Sequence, residues 1–333
     1  MVPNPTLKEL AAMTNVSIST VSRALSSPEK VKFSTRKKIE TALEDYQNKA
    51  RERKSNLIGL IIPDMLNQFF PLIISGADSA AFASGVTLIT LCSDNSRERE
   101  ATCIKKLLDM NVDGIIIISS DTHSPLIEEI IKEKIVPIVF LDRNPGIEDI
   151  NLITTDNFEG MYQGTRYLLT LGHKRIMYLG GREGTSTNTE RLNGCVAALN
   201  EENLRLAELA YGNYDFHTSY TLIKDMIKTE RISFTAIVAA NDVMALAAEK
   251  ALSECSIKIP EDISIIGYDD IPSASYSNLT TVKQPFMEMG KTAVFTLLSS
   301  MKEPFKKKKA MVLNSNIIFR GSCGICKESI HAS

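Results

Sequence analysis

The sequence predicts two unlike parts in series: an all-α helix-turn-helix head over residues 1–46 and an α/β body of two doubly wound lobes over residues 57–333, joined by a short linker at 47–56. Three observations carry this. Residues 1–54 hold eleven Lys or Arg against six Asp or Glu, a charge of +5, whereas the whole chain of 333 residues sums to −2 and the remainder is therefore −7. The first 46 residues read as three short helices. From Leu57 onward, short branched apolar runs alternate with helical stretches, the pattern of buried parallel strands and their crossovers.

In the head, Thr6 is a good N-cap and Glu9 completes a capping-box pattern, after which Leu7, Leu10 and Ala11 share one face. The helix should end at Thr14–Asn15, because Asn tolerates the left-handed conformation of a tight turn. Ser17 then caps a second helix with an inward face of Val21, Ala24 and Leu25. Two such helices crossing at the small Ala11 make a helix-turn-helix. The second helix exposes Ile18, Ser19, Ser22 and Arg23, short groups plus one long cation. That face suits a DNA major groove: hydroxyls and helix-end amides hold phosphate, and Arg can pair bidentately with guanine. A third helix from about Ser34 closes the core with Ile39, Ala42, Leu43 and Tyr46. The +5 head can neutralise phosphates while the −7 body stays off them.

TVSRAL after a short capped helix resembles the LacI/GalR family of bacterial transcriptional regulators, and the likeness runs over nearly the whole chain. The resemblance implies that Ile18, Ser19 and Arg23 read bases, and that Thr6, Ser17, Thr20 and Ser22 touch phosphate or support that contact. It also implies a cytoplasmic homodimer that sets two heads on two operator half-sites, with a phosphorylated carrier protein admitted as a corepressor. Two features depart from the family. Asn15 stands where glycine is usual, and the segment QNKARERKSNL lacks the Pro-Asn pair and the wedge leucine of the family's hinge helix. Ala50-Arg51 are the remnant, so operator binding with less DNA bending is expected.

In the body, IGLIIP, VTLITLCSD, GIIIISS and VPIVFLD read as one strand series, and RIMYLGG, AIVAAN, ISIIGYDD and a run ending in TTVKQP as another. Helices fall near 70–84, 97–110 and 125–134 in the first series. The expected lobes are about 57–154 plus 284–310, and 155–283 plus 311–333. Ligands of open α/β sheets bind at the carboxyl ends of strands, here in a cleft between two units. Those ends carry Asp64, Asn67, Phe69, Phe70, Asp142, Arg143, Asn241, Asp242, Asp269, Asp270 and Gln284, with Arg191 and Phe216 nearby. Carboxylates, amides and arginines pair with vicinal hydroxyls, and aromatic faces cover C–H surfaces, so a small polyol fits. Asp242 alone is better read as a helix cap.

The body is also similar to periplasmic sugar-binding proteins, and NQFF, LDRN, ERLNG, DF, AND, GYDD and KQP follow the ribose-binding subgroup. This implies pentose contacts at Asn67, Phe69, Phe70, Asp142, Arg143, Arg191, Phe216, Asn241, Asp269 and Gln284. A ribose-responsive repressor is the first expectation; another sugar or a purine as effector is the alternative.

Other classes fit poorly. No apolar run approaches the ~20 residues of a bilayer span, and no secretory signal opens the chain. Six cysteines in 333 residues read as reduced thiols rather than a disulfide scaffold. Cys323 and Cys326 with His331 supply three of the four ligands a structural zinc needs, so no metal is expected. LGGREGTS clusters glycines without a full dinucleotide fingerprint, so no cofactor is expected either. His123, His173 and His217 are isolated, and an enzyme acting on a sugar would need a polarised nucleophile that is not visible.

Overall fold

The head folds as its caps dictate. In the computed structural model, which describes residues 5–52, 55–119, 124–303 and 307–327, α1 (Leu7–Thr14) opens on a full capping box. The Thr6 N–H donates to Glu9 Oε2 at 2.7 Å and the Glu9 N–H to Thr6 Oγ1 at 3.3 Å. Asn15, at φ 52°, ends the helix in the left-handed region. Ser17 Oγ accepts the Thr20 N–H at 3.2 Å and starts α2 (Ile18–Ser26). Leu10, Ala11, Val21, Ala24 and Ile39, the last from α3 (Phe33–Glu52), form the head core.

Three expectations for the head are corrected. Leu25 is 52% exposed, because one residue past Ala24 is a 100° turn away from the Val21–Ala24 seam. Leu7, in the first turn, is also exposed. The linker does not begin at residue 47, since α3 runs on to Glu52. QNKARE contains only helix-compatible residues, with no Pro or Gly to stop the third helix. The side chain of Tyr46 and residues 53–54 lie outside the described residues, as do His123, Lys306 and His331.

The first lobe contains β1 (Leu57–Ile62), α4 (Phe69–Ala83), β2 (Thr87–Cys92), α5 (Arg97–Asp109), β3 (Gly114–Ile117), α6 (Pro125–Lys132), β4 (Ile138–Leu141) and β5 (Asn151–Thr155). Strand alternation feeds two cores. Ile58, Leu60 and Ile62 pack with Phe70, Ile73 and Ala77 of α4, while Ile61, Ile115 and Ile117 pack with Ile104, Leu107, Ile127 and Ile130 of α5 and α6. Asp113 receives the entering chain, its carboxylate accepting the Ser55 N–H at 3.0 Å and the Asn56 N–H at 2.8 Å.

The chain then crosses to a second lobe: α7 (Asn157–Thr170), β6 (Ile176–Gly180), α8 (Ser186–Glu201), β7 (Glu208–Tyr211), α9 (Phe216–Lys228), β8 (Ala236–Ala239), α10 (Asp242–Ser253), β9 (Ser264–Asp269), α11 (Pro272–Tyr276) and β10 (Thr280–Lys283). It returns as α12 (Phe286–Lys302) and β11 (Ala310–Leu313), and crosses once more to β12 (Asn316–Ile318). The sheet orders are β11-β5-β4-β3-β1-β2 and β12-β10-β9-β8-β6-β7. Among the described residues, all pairings are parallel except β12 against β10. The expected lobe boundary at 311 is therefore too early, because β11 pairs with β5 through Leu313 and the last crossing follows it.

Helix α12 lies directly on α4. A Cβ on Gly76 would collide with the Met287 carbonyl, and one on Gly290 with the Ile73 carbonyl, so the two backbones touch where neither can carry a side chain. This returning helix completes the first lobe from a distant part of the chain.

Candidate DNA-reading face and ligand cleft

On α2, Val21 and Ala24 face inward, and Ile18 (49% exposed), Ser19, Ser22 and Arg23 face solvent together. Thr20 is half-buried. The Ser17 hydroxyl lies 2.9 Å from that of Ser19 and 2.8 Å from that of Thr20, so the first turn presents a hydroxyl cluster. Thr6 sits at the N-terminus of α1 with its side chain engaged in the capping box.

Between the lobes is a cavity of about 240 Å³. It is lined by Asn67, Phe69, Phe70, Asp142, Arg143, Arg191, Asn241 and Asp269, eight of the ten residues expected there. Each arrives from a strand end or the following helix. Asn67 folds its Oδ1 back onto the Phe69 N–H at 3.0 Å, and Phe69 meets Phe70 edge-on with centroids 5.1 Å apart. Asp142 follows β4 at φ 67° and Asp269 ends β9 at φ 124°, positions that few residues other than Gly, Asn and Asp adopt. Asn241 caps α10 through its Oδ1, accepting the Met244 N–H at 3.0 Å.

Arg191 is the hub. Its Nε donates to Asn157 Oδ1 at 2.8 Å and a terminal nitrogen to the Ala240 carbonyl at 2.7 Å. Its guanidinium lies 3.8 Å from the Tyr268 ring centroid and 3.8 Å from Asp269 Oδ1. Burial pushes the Asp142 and Asp269 carboxyls above their ordinary range, with Arg191 pulling both back. Five buried polar side-chain atoms have no hydrogen-bond partner among the described residues, and three of them, Asp142 Oδ1, Arg143 Nε and Asn241 Nδ2, belong to residues lining this cavity. Leaving such atoms unpaired is costly, so their convergence on one cavity marks a site built for a polar ligand.

Two expected residues stand elsewhere. Gln284 is fully buried behind the cavity; its Nε2 donates to Asp269 Oδ1 at 2.8 Å and its Oε1 accepts from the Thr155 hydroxyl at 2.7 Å. It therefore ties β9 to the crossing after β5. Phe216 is 44% exposed on the outer surface of α9. Asp215 caps that helix by accepting the Thr218 N–H at 2.7 Å, which turns the next residue outward. The aromatic that this loop puts in the cleft is Tyr214, and the capping pattern Asp215–Thr218 is the signal that places it in the ligand-facing loop. Thr187 and Asn95 also line the cavity without having been expected.

The lobes meet across the cleft mouth. Arg182 donates to the Asn95 carbonyl at 2.9 Å, the Asn144 N–H to Ser186 Oγ at 2.9 Å, and the Ser273 N–H to Gln68 Oε1 at 3.2 Å.

Asp242 is fully buried below the site and acts in the fold, its Oδ2 accepting the Ile271 N–H at 2.9 Å and its Oδ1 facing the Thr281 hydroxyl at 2.5 Å. Burial, then the nearby Asp269 charge, push its carboxyl well above the usual range. The folded protein thus favours the protonated form, whose stabilisation is complete below the unfolded carboxylate range and fades as pH rises through the raised value. Asp242→Asn is isosteric and uncharged, and can still accept from Ile271 and donate to Thr281. Its melting temperature should gain on the parent's as pH rises above the ordinary carboxylate range of about 4, at roughly 2–4 °C per kcal/mol. A gap that stays constant with pH would show that Asp242 is not held protonated.

His173 joins Thr235 and the Gly324 carbonyl, each at 3.0 Å, and burial raises the Cys323 thiol to about 11. These are packing roles for the C-terminal segment. Among the described residues no group of three His, Cys, Asp or Glu can hold a metal, and no helix is long and apolar enough to cross a membrane.

A helix-turn-helix head on a two-lobed body with a polar cleft is the build of a ligand-responsive transcriptional regulator. Residues 6–47 match the lacI family of bacterial regulatory proteins, and residues 165–323 a periplasmic binding protein-like domain. An HTH-type transcriptional repressor PurR of Vibrio atlanticus is 32% identical over 328 residues, covering 95% of this chain and 98% of that one. A LacI family transcriptional regulator from Enterococcus faecium with bound ribose shares 28% identity at a TM-score of 0.74, covering 81% of this chain and all (100%) of that one. The lac repressor dimer bound to operator and the anti-inducer ONPF shares 28% identity at a TM-score of 0.72, covering 97% of this chain and 100% of that one. The chain belongs to the LacI family: it is a DNA-binding transcriptional repressor and not an enzyme.

Proposed function

We propose that this repressor senses a small sugar, a pentose of the ribose type, in the cleft between its lobes, and that the bound sugar lowers its affinity for operator DNA. One observation carries the effector reading: an acceptor on Asp142 and donors on Arg143 and Asn241, all buried and without a hydrogen-bond partner among the described residues, belong to residues lining one cavity of about 240 Å³. A hydroxyl both donates and accepts, so a ring of vicinal hydroxyls can satisfy all three. Phe69, Phe70 and Tyr214 supply the apolar cover a sugar ring needs. The cavity is below the ~300–1,000 Å³ of sites for drug-sized ligands, in keeping with a monosaccharide.

In the head, Ile18, Ser19 and Arg23 are the base-reading residues of this proposal, and Thr6, Ser17, Thr20 and Ser22 hold or support phosphate contacts. A cytoplasmic homodimer sets two heads on two half-sites. Sugar shifts the balance of lobe closure by no more than its differential affinity for the two states.

The name PurR among the relatives makes a purine the reading to beat. Calorimetry of the full chain against ribose, other pentoses, hexoses and purine bases decides. Heat with ribose and none with purines is expected. A purine that binds while ribose does not would replace the effector, and silence from all small ligands would turn attention to a phosphorylated carrier protein.

A further inference from the structure

Beside the sugar cavity lies a second chamber of about 270 Å³. The two share Asn95 and Arg143. Three arginines line the second chamber, Arg97 and Arg143 from the first lobe and Arg182 from the second, against one carboxylate, Glu183. Arg143 is 7% exposed, and its Nε makes no hydrogen bond, with Asp142 Oδ2 standing at 4.0 Å.

The wall opposite is the glycine-rich turn after β6, whose GGREGT sequence runs into α8. Thr185, the residue before α8, does not cap it. The Thr185 hydroxyl donates to the Arg182 carbonyl at 2.8 Å, and the first turn of this 16-residue helix carries no acidic side chain. Gly184 stands at φ 80°, and a Cβ there would meet nothing within 4 Å, so the turn borders open space. Guanidinium forks and an uncapped helix N-terminus converge here, which is chemistry for an oxyanion carrying more than one charge.

We infer that the effector is a phosphorylated pentose, its ring in the first cavity and its phosphate in the second. This rests on the pentose reading above and sharpens it. Both lobes contribute cations, so a phosphate seated there bridges the cleft mouth beside the existing Arg182–Asn95 contact and favours closure.

The test is calorimetry of the full chain with ribose, ribose 5-phosphate and inorganic phosphate, repeated on Arg97→Gln/Arg182→Gln. Both side chains are exposed, so the double variant should keep its fold. Ribose 5-phosphate is expected to bind at least about tenfold tighter than ribose, and the double variant to lose that preference, binding the two sugars within about threefold of each other. Equal binding of the two sugars, or weaker binding of the phosphate ester, overturns the inference and leaves the pentose reading standing. If ribose fails but inorganic phosphate binds and the double variant abolishes it, the anion chamber is upheld and the pentose reading falls. If none of the three binds, both fall.

Discussion

An Asp269→Asn protein should keep its fold and its operator yet stop responding to sugar. The substitution suits the backbone, since Asn tolerates the left-handed side of φ space where Asp269 sits at 124°. It also suits the neighbours, because the amide oxygen can still accept from Gln284 Nε2. What it removes is a charged acceptor in a buried cavity, and it presents an NH₂ group in its place. Hydrogen bonds to charged groups are worth about 1.5–3 kcal/mol, and a mismatched donor adds a desolvation penalty, so sugar affinity should fall by roughly 10²-fold or more. Calorimetry reads the affinity, and a gel shift with and without sugar reads the response. Sugar binding at the parent's affinity would remove Asp269 from the contact set.

Arg23→Ala should do the converse. Arg23 is the one cation on the exposed face of α2, and it is not part of the head core. A bidentate arginine contact discriminates between bases by about 1–3 kcal/mol, so each half-site should lose roughly 10- to 100-fold of its preference for operator over random DNA. With two heads on one operator the losses multiply. Footprinting competed with random DNA checks this, and calorimetry should show sugar binding untouched. A normal footprint under competition would place base reading elsewhere on α2.

The parts legible in the sequence were those governed by short-range rules. Thr6–Glu9, Asn15 and Ser17 mark the helix ends of the head by their own hydrogen bonds. The polar residues after β1, β4, β8 and β9 line the cleft because a parallel α/β unit brings its strand ends together. What stayed hidden depends on longer-range accounting. Leu25 looked internal until Ile39 of α3 closed the seam without it. The helical run through 47–52 has no stop signal, but its polarity suggested a linker. Gln284 has the chemistry of a ligand contact, and only the depth of the crossing shows that it braces Asp269 from behind. Phe216 and Tyr214 are two residues apart, and the cap between them decides which one faces the cleft.

The return of α12 to the first lobe bears on how the protein is made on the ribosome. Between the end of β5 at Thr155 and the start of α12 at Phe286, the chain builds the second lobe apart from β12 and the C-terminal segment. At ~5–20 residues per second, that interval lasts on the order of ten seconds. Throughout it the nascent first lobe lacks β11 at its sheet edge and the helix whose backbone seats against Gly76. The head can form within its own residues as soon as it emerges, whereas the sensor's first half must wait for its last helix with the apolar flank of α4 uncovered. That interval, rather than the finished molecule, is when the chain is most exposed to aggregation and most dependent on chaperones.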